Sequence, residues 1–284
     1  MQEDGHTVSR YESQQTISPK GESYRLDSVV LLDTSGSVLR SGEFTQLQAA
    51  AAKYIATVLG AASSGQRISL MTFDGRAAPQ AVVDFTSDQH ALLDGLTSLG
   101  VVECRAASDC AAFADHRTCA GWRCVDDSTN LNGAVVSTLD LLEAHLADTS
   151  VPWRDAALVL FTDGTDQAGR VSSDAAASRA AKTAVHLFSV GLGDEVDAAA
   201  LRTFGRDGTF TIASADGLES AFENVAARVT ALANRFYLLE YCSPKRSGTH
   251  TLKIVATSTQ QGAVYQGGLS RDFDATGFAS GCQL

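Results

Sequence analysis

The sequence predicts an α/β protein with a doubly wound (Rossmann-like), mostly parallel sheet, helices on both faces and a small C-terminal β appendage. Continuous apolar runs, typical of strands buried on both faces, alternate with amphipathic stretches of helical spacing, which predicts the parallel sheet. After residue 234, strand-like stretches follow one another without a helix between them, which predicts the appendage. The 284 residues, 44% of them hydrophobic, are enough for one large domain and a smaller addition.

The first half of the chain begins with a polar arm and then enters the sheet. A short strand is expected around 23–26, and the apolar run 28–32 is the first buried strand, ending at Asp33. Thr86 or Ser87 is expected to cap the second helix, because their hydroxyls accept hydrogen bonds from the first turn. The elements after Asp33 are expected as a helix at 44–59, strands at 68–73 and 81–85, and a helix ending at Leu99.

The second half continues the alternation of helix and strand as far as residue 232. One of its buried strands again ends at an aspartate, Asp163. Helices are expected at 131–146, 172–183, 197–204 and 218–232, with strands at 156–162, 185–190 and 209–212, and appendage strands at 236–241, 249–257 and 263–273.

These elements predict three parts of unequal size. An N-terminal arm covers residues 1–27 and is a candidate to complete the appendage. The α/β domain covers 28–234 and contains a cysteine-rich insertion at 100–128, and the β appendage covers 235–284.

Charge and hydropathy exclude several classes of partner. The formal charge is −11, from 22 basic and 33 acidic residues, and the basic residues are scattered. A nucleic acid or an anionic membrane surface is therefore not expected as a partner. No apolar run approaches the length of about 18 residues that a membrane-spanning helix needs. The polar start, MQEDGHTVSR, lacks an apolar core, so we expect that a signal sequence or lipid anchor has been removed.

The six cysteines indicate disulfides and therefore an oxidising compartment, either extracellular, at the cell surface or periplasmic. A zinc site with His116 is the competing interpretation, but only one of the three spacings among the first four cysteines fits zinc. We expect Cys242 to pair with Cys282 and two bridges to form within 104–124. Three pairings are open there, with a weak preference for Cys104–Cys124 and Cys110–Cys119.

Three polar loops follow predicted strands or precede a predicted helix, at the edge where doubly wound sheets bind ligands. Together they offer hydroxyls and carboxylates, which are hard oxygen ligands that favour Mg²⁺, Mn²⁺ or Ca²⁺ over zinc or copper. Three hydroxyls can bind one ion directly while two carboxylates hold its waters, which leaves a position open for an outside carboxylate. The five donors are Asp33, Ser35, Ser37, Thr129 and Asp163.

These residues resemble the metal-ion-dependent adhesion site of von Willebrand factor type A domains. Asp33, Ser35 and Ser37 form D-x-S-x-S, Thr129 lies in a T-x-L-x-x-A loop, and Asp163 lies in T-D-G. The resemblance covers roughly residues 28–233, and the tail resembles the β extension of secreted or surface-anchored bacterial A-domain proteins. It implies a fold of this family and metal-dependent binding of a protein partner through a carboxylate, without catalysis. The expected metal is one Mg²⁺ or Mn²⁺, with Ca²⁺ as the third choice.

The insertion departs from a minimal domain of this family. Its last cysteine, Cys124, lies only five residues before Thr129, so we expect the insertion to emerge beside the metal loop and to shape the choice of partner. Trp122 in the insertion and Asn130 in the second loop are candidate partner-binding residues, whereas a purely protective role of the insertion is the alternative. The identity of the partner and the oligomeric state are left open.

Other functions fit the sequence less well. A phosphatase of the D-x-D-x-T kind would use Asp33 as its nucleophile and needs a second carboxylate where Ser35 stands. A serine hydrolase needs G-x-S-x-G, and the chain has T-S-G-S-V instead. A structural subunit of an envelope assembly, with a non-essential metal site, is the alternative within the binding class. We expect Asp166 to be a polar turn residue and His186 to be a satisfied core histidine.

Overall fold

A computed structural model of the protein describes residues 1–9, 15–19, 24–40, 43–60, 65–99, 103–110, 117–120, 123–234, 237–260 and 262–279. The chain divides into two compact units. The larger unit is Gly21–Arg235, and the smaller one combines Met1–Lys20 with Phe236–Leu284. Among the described helices, none is both long and apolar enough to cross a membrane.

The strands are numbered in chain order. They are β1 (Gln2–Glu3), β2 (His6–Thr7), β3 (Gln15–Pro19), β4 (Tyr24–Asp33), β5 (Gln66–Phe73), β6 (Gln80–Thr86), β7 (Arg117–Ala120), β8 (Arg123–Asp126), β9 (Trp153–Thr162), β10 (His186–Leu192), β11 (Gly208–Ile212), β12 (Tyr237–Tyr241), β13 (Thr249–Gln260) and β14 (Ala263–Asp274).

The α-helices all belong to the larger unit. They are α1 (Gly36–Arg40), α2 (Phe44–Gly60), α3 (Gln89–Thr97), α4 (Leu131–Ala147), α5 (Ser173–Lys182), α6 (Ala198–Phe204) and α7 (Leu218–Asn234).

The predicted doubly wound sheet is confirmed. Its strand order is β11-β10-β9-β4-β5-β6, and all neighbouring pairs are parallel except β5 with the edge strand β6. From β4 the chain proceeds to β5 and β6 on one side, and later to β9, β10 and β11 on the other. The direction of winding therefore reverses between β4 and β9, where ligands bind in folds of this class.

The central strand β4 is longer than the sequence predicts. The short strand expected at 23–26 and the buried strand expected at 28–32 form one strand that begins at Tyr24, and Tyr24 and Leu26 are buried. The charged Asp27 hides this continuity in the sequence. In the structure it accepts hydrogen bonds from Nε and Nη2 of Arg67 at 2.8 and 2.7 Å, which allows a carboxylate within a buried strand.

Helices cover both faces of the sheet because β4 and β9 are apolar on both sides. On one face Val29 and Leu31 belong to a buried cluster with residues of α4 and α5. The ring of Phe222 in α7 lies 6.4 Å from that of Tyr54 in α2 and also from that of Phe161 in β9. The core thus holds the ends of β4 and β9 in fixed positions.

The cap of α3 differs from the prediction. Asp88, instead of Thr86 or Ser87, accepts hydrogen bonds from the backbone N–H groups of His90 and Ala91. Its carboxylate is a good N-cap acceptor, and Thr86 instead accepts from the N–H of Asp88 at 3.0 Å. The helix consequently begins one residue later than a cap at Ser87 would require.

The smaller unit consists of antiparallel strands from both ends of the chain. β1 pairs with β2 and with β13, and β13 pairs with β14 along its whole length. β3 pairs with β12 in a separate two-stranded sheet. The N-terminal arm therefore pairs with the C-terminal strands, and the boundaries of the units lie at 20/21 and 235/236.

The insertion contains the hairpin β7–β8 and a short 3₁₀ helix, Ala107–Cys110. Two disulfides join them, Cys104–Cys119 and Cys110–Cys124. The preferred pairing of Cys104 with Cys124 was therefore wrong. Cys119 and Cys124 stand opposite each other in the hairpin, so each bridges to a different cysteine of the preceding segment. The zinc interpretation is also wrong for these four residues, and His116 lies outside the described residues.

The remaining cysteines belong to the tail. Cys242 is disulfide-bonded. Its expected partner, Cys282, lies outside the described residues, so the bridge that we expect between them stays a prediction.

Candidate metal centre

Asp33 is the most buried of the five expected metal-binding residues. It ends β4, has no exposed surface, and accepts a hydrogen bond from the backbone N–H of Ser35 through Oδ1 at 2.9 Å. Its Oδ2 accepts a hydrogen bond from the hydroxyl of Thr162, at the end of β9, at 2.8 Å. Both donors are neutral, so the protein holds this carboxylate in place without a cationic hydrogen-bond donor.

Ser35, Ser37 and Asp163 form a continuous hydrogen-bonded row beside Asp33. The hydroxyls of Ser35 and Ser37 are 3.1 Å apart, and the Ser37 hydroxyl donates to Oδ1 of Asp163 at 3.0 Å. Ser37 belongs to α1 and Asp163 follows β9, which the adjacency of β4 and β9 brings together. Four of the five residues therefore lie in one cluster at the switch point of the sheet.

Thr129 approaches from the loop before α4 and is also buried. Its carbonyl accepts hydrogen bonds from the N–H groups of Gln167 and Ala168 at 2.8 and 3.0 Å. The N–H of its neighbour Asn130 donates to the carbonyl of Asp74 at 2.9 Å. Within the described part of the chain, no hydrogen bond joins Thr129 directly to the other four residues. Its loop is instead fixed by the loops that follow β5 and β9.

The carboxylates of the site carry unfavourable charge when no cation is present. Burial, together with the charge of Asp163, raises the pKa of Asp33 to about 7. Burial also raises the pKa of Asp163, and the charges of Glu195 and Glu43 act in the same direction. A site that disfavours its own negative charges is one that a bound cation would stabilise.

The donor set fits a divalent ion of the magnesium type. Three hydroxyls and two carboxylates are all hard oxygen donors, and imidazole and thiolate are absent from these five positions. Ser35, Ser37 and Thr129 are the residues that would bind the ion directly. Asp33 and Asp163 would hold its waters.

The structure does not support Asn130 as a partner-binding residue. Its side chain is 1% exposed and serves as the N-cap of α4, accepting a hydrogen bond from the N–H of Gly133. Its amide also donates to the carbonyls of Arg76 and Ala77 at 2.9 and 3.3 Å. All of these contacts are internal, so Asn130 positions the loop that carries Thr129. Trp122, the other candidate, lies outside the described residues.

Two polar residues take structural positions. Asp166 accepts hydrogen bonds from the N–H groups of Asn132 and Gly169, as expected of a turn residue. His186 is partly buried and lies 3.1 Å from Asp155 and 3.6 Å from Asp207, so it is satisfied by two carboxylates.

Thr162 is the site residue whose role the sequence did not reveal. In the sequence it is only the first residue of the T-D-G segment, whereas in the structure its hydroxyl donates a hydrogen bond to Asp33. A hydroxyl residue that directly precedes the aspartate at a strand end was the available signal. Its meaning depended on knowing that β4 and β9 are neighbours.

Comparison with known proteins agrees with this geometry. Residues 28–165 match the family model of the von Willebrand factor type A domain. The comparison with curated protein sequences gives no match. The matched residues include the second half of β4, the loop of Thr129 and Asp163, and therefore all five oxygen donors.

Several solved structures share the fold at low sequence identity. Proximal thread matrix protein 1 from the mussel byssus, with a zinc-occupied MIDAS motif, has 14% identity and a TM-score of 0.53, covering 73% of this chain and 48% of that one. The von Willebrand factor domain of a type V pili tip protein from Porphyromonas gingivalis has 14% identity and a TM-score of 0.51, covering 75% and 97%. The manganese-loaded TRAP protein of Plasmodium vivax has 13% identity and a TM-score of 0.51, covering 93% and 98%. The matched region spans about half the length of the mussel protein.

Proposed function

We propose that the chain contains a von Willebrand factor type A domain and that this domain binds a protein partner through one divalent metal ion. The ion would be Mg²⁺ or Mn²⁺, with Ca²⁺ third, held by Ser35, Ser37 and Thr129. The partner would supply a carboxylate. The protein would act as a binding or adhesion module outside the cytosol and not as an enzyme.

The observation that carries this proposal is the hydrogen-bonded row from Asp33 through Ser35 and Ser37 to Asp163. The row combines two neutral hydroxyls, of which that of Ser37 belongs to an exposed residue, with the fully buried carboxylate of Asp33. An ion bound directly by neutral hydroxyls keeps most of its positive charge. It therefore favours an anionic ligand at its open position, even on a chain of net charge −11.

The identity of the metal is a proposal from donor chemistry. Hard oxygen donors prefer Mg²⁺ and Mn²⁺. The related structures carry manganese in the Plasmodium protein and zinc in the mussel protein, so the fold accommodates more than one divalent ion. Mn²⁺ is the practical probe because its bound waters can be followed by magnetic resonance.

A binding role also fits the surroundings of the two serines. Their hydroxyls contact each other and Asp163, and neither is placed against a histidine in the described part of the chain. Instead, His145, His186 and His250 pair with aspartates elsewhere. Nucleophilic catalysis by serine needs an adjacent general base. The disulfides favour an oxidising compartment, which suits an extracellular, cell-surface or periplasmic protein.

Calorimetric titration of Mn²⁺ and Mg²⁺ into chelator-treated protein tests the metal site. We expect a single site that Asp33→Ala or Thr129→Ala abolishes without unfolding the protein. Thr203→Ala is the matched control, because the Thr203 hydroxyl bonds only within its own helix, to the carbonyl of Ala199. Full metal affinity in the Asp33→Ala, Thr129→Ala double variant would overturn the assignment.

The open coordination position can be tested separately with acetate. Bound Mn²⁺ enhances the relaxation of water protons, and a carboxylate that takes the open position displaces a water. We expect acetate to lower the enhancement of the wild-type complex in a saturable way, and chloride at equal ionic strength to have no effect. An enhancement that acetate leaves unchanged would contradict carboxylate recognition.

A further inference from the structure

Asp127 joins the cysteine-rich insertion to the helix that carries Ser37. Its Oδ1 accepts a short hydrogen bond from Nη1 of Arg40, the last residue of α1. Its Oδ2 accepts a hydrogen bond from the hydroxyl of Thr118, in β7, at 3.0 Å. Each carboxylate oxygen thus holds a different element, with the insertion on one side and the first metal loop on the other.

The same carboxylate lies directly against the backbone of the first metal loop. A Cβ atom at Gly36 would overlap Oδ1 of Asp127 and the guanidinium of Arg40. Gly36 stands between Ser35 and Ser37, and its lack of a side chain leaves room for Asp127 beside the loop. The insertion thus lies next to the residue that joins the two serines.

The chain between Asp127 and Thr129 has little freedom to absorb such a shift. Asp126 is 2% exposed and accepts a hydrogen bond from the N–H of Ser128 at 2.9 Å. A Cβ atom at Gly75 would lie 2.7 Å from both Oδ1 of Asp126 and Cβ of Ser128, so this turn packs tightly against the loop after β5. Displacement of the hairpin strand β8 is therefore passed on to Thr129, two residues after Asp127.

The two disulfides fix the hairpin at its other end. Cys119 of β7 is bonded to Cys104, and Cys124 of β8 is bonded to Cys110 of the 3₁₀ helix. Cys104, Cys110 and Cys124 are buried, and their sulfur atoms lie within 4.8 Å of one another. The bridges form a small sulfur core in place of an apolar one, so the position of the hairpin depends on them.

We infer that Asp127 is a positioning residue that couples the disulfide-bonded hairpin to both metal loops, so that the two disulfides set the affinity of the metal site. The inference rests on the proposed metal-binding function for its effect on affinity. The insertion then fixes the position of the site in two ways. It holds the helix of Ser37 by means of Arg40, and it holds Thr129 by means of the connecting backbone. Loss of either disulfide loosens both loops at once.

An exposed ion pair alone would be too weak for this role. The side chains of Arg40 and Asp127 are 47% and 42% exposed, and exposed pairs of this kind contribute little to stability. The coupling instead needs both oxygens of Asp127, its contact with Gly36 and the anchored hairpin together. Couplings between sites usually change affinity about 5-fold or more, so we expect at least about a 5-fold loss when Asp127 or a disulfide is removed.

The test compares Asp127→Ala, Thr118→Val and the double variant Cys110→Ser with Cys124→Ser, which removes one of the two disulfides. Asp148→Ala is the matched control, because Asp148 is a similarly exposed, arginine-paired aspartate at the far end of α4. Mn²⁺ affinity is measured by calorimetry. Hydrogen exchange is measured in chelator-treated protein at the amide of Leu39, which donates to the Ser35 carbonyl within the first metal loop.

We expect each of the three changes, but not the control, to weaken Mn²⁺ binding and to speed exchange at Leu39. Combining Asp127→Ala with the cysteine pair should weaken binding no further than the stronger of the two, because both act through one connection.

Wild-type affinity and exchange in Asp127→Ala and Thr118→Val would overturn the inference, and so would fully additive losses. If wild-type protein bound no Mn²⁺, the proposed function would fail, while exchange at Leu39 would still decide the coupling. Thr118→Val keeps both disulfides and so decides the question if the cysteine variant does not fold.

Discussion

The hydroxyl of Thr162 donates a 2.8 Å hydrogen bond to Oδ2 of Asp33, across 129 positions of the sequence. Both residues are fully buried at the ends of neighbouring parallel strands. The bond fixes the carboxylate while its other oxygen accepts from the backbone of Ser35. The site is therefore preorganised by the sheet itself, through residues that would not touch the metal.

Replacement of Thr162 by valine should lower the stability of the metal-free protein. Valine has nearly the same shape but leaves a buried carboxylate oxygen without its donor, which costs about 1–3 kcal/mol. Thr138→Val is the matched control, because that buried hydroxyl donates only to the Ala134 carbonyl within α4. Urea unfolding in chelator measures both variants. If Thr162→Val and Thr138→Val lost the same free energy of unfolding, the bond to Asp33 would stabilise the protein no more than an ordinary hydrogen bond within a helix.

Replacement of Asp33 by asparagine should have opposite effects on stability and on binding. Asp33 is a buried carboxylate bonded only to neutral donors, so removing its charge relieves an unfavourable burial. We expect a higher melting temperature in chelator and no further rise on adding Mn²⁺. Asp27→Asn is the contrast, because that buried aspartate on the same strand pairs with Arg67, and breaking the pair should lower the melting temperature. A lower melting temperature in Asp33→Asn would refute the expectation.

Trypsin can decide the disulfide pairing, because each cysteine of the insertion falls in a different tryptic peptide. Cleavage after Arg76, Arg105, Arg117, Arg123 and Arg154 gives peptides 77–105, 106–117, 118–123 and 124–154. The structure predicts that 77–105 is linked to 118–123, and 106–117 to 124–154. Mass spectrometry of the unreduced digest would contradict it by showing 77–105 linked to 124–154.

The smaller unit should show a pH-dependent stability that depends on His250 and Asp4. The hydrogen bond to Asp4, and then the one to the Ser247 carbonyl, raise the pKa of His250. The Thr251 N–H, and then His250, lower the pKa of Asp4. The stability that protonated His250 contributes to the folded state is fully present below its ordinary pKa of 6.5 and is lost as the pH rises through the raised pKa. The stability that ionised Asp4 contributes is present above its ordinary pKa of 3.8 and is lost as the pH falls through the lowered pKa.

An NMR titration of the His250 ring measures this pair directly. Asp4→Asn should bring the pKa of His250 back towards 6.5. Asp272→Asn should leave it raised, because Asp272 bonds instead to the Thr251 hydroxyl. A His250 pKa that is the same in wild type and in Asp4→Asn would show that the hydrogen bond is not formed in solution.

The sheet and the cluster of Asp33, Ser35, Ser37 and Asp163 could be predicted from the sequence because their signals are local. The apolar run before Asp33 and the one before Asp163 each report a buried strand and its end within a few residues. Parallel strands bring their carboxyl ends to one edge, so these two aspartates are expected near each other once the fold class is recognised. The same local logic divides β4 into two strands at Asp27, where only the distant Arg67 makes a charged residue acceptable inside a strand.

Tertiary structure alone decided which residues become partners when they lie far apart in the sequence. Spacing allowed three disulfide pairings, and only the folded insertion shows that Cys104 meets Cys119 and that Cys110 meets Cys124. The same holds for the burial of Asn130, for the bond of Thr162 to Asp33, and for the approach of Asp127 to Gly36. Periodicity records which face of an element is buried, whereas these contacts depend on which elements become neighbours, and that order follows from packing the whole sheet.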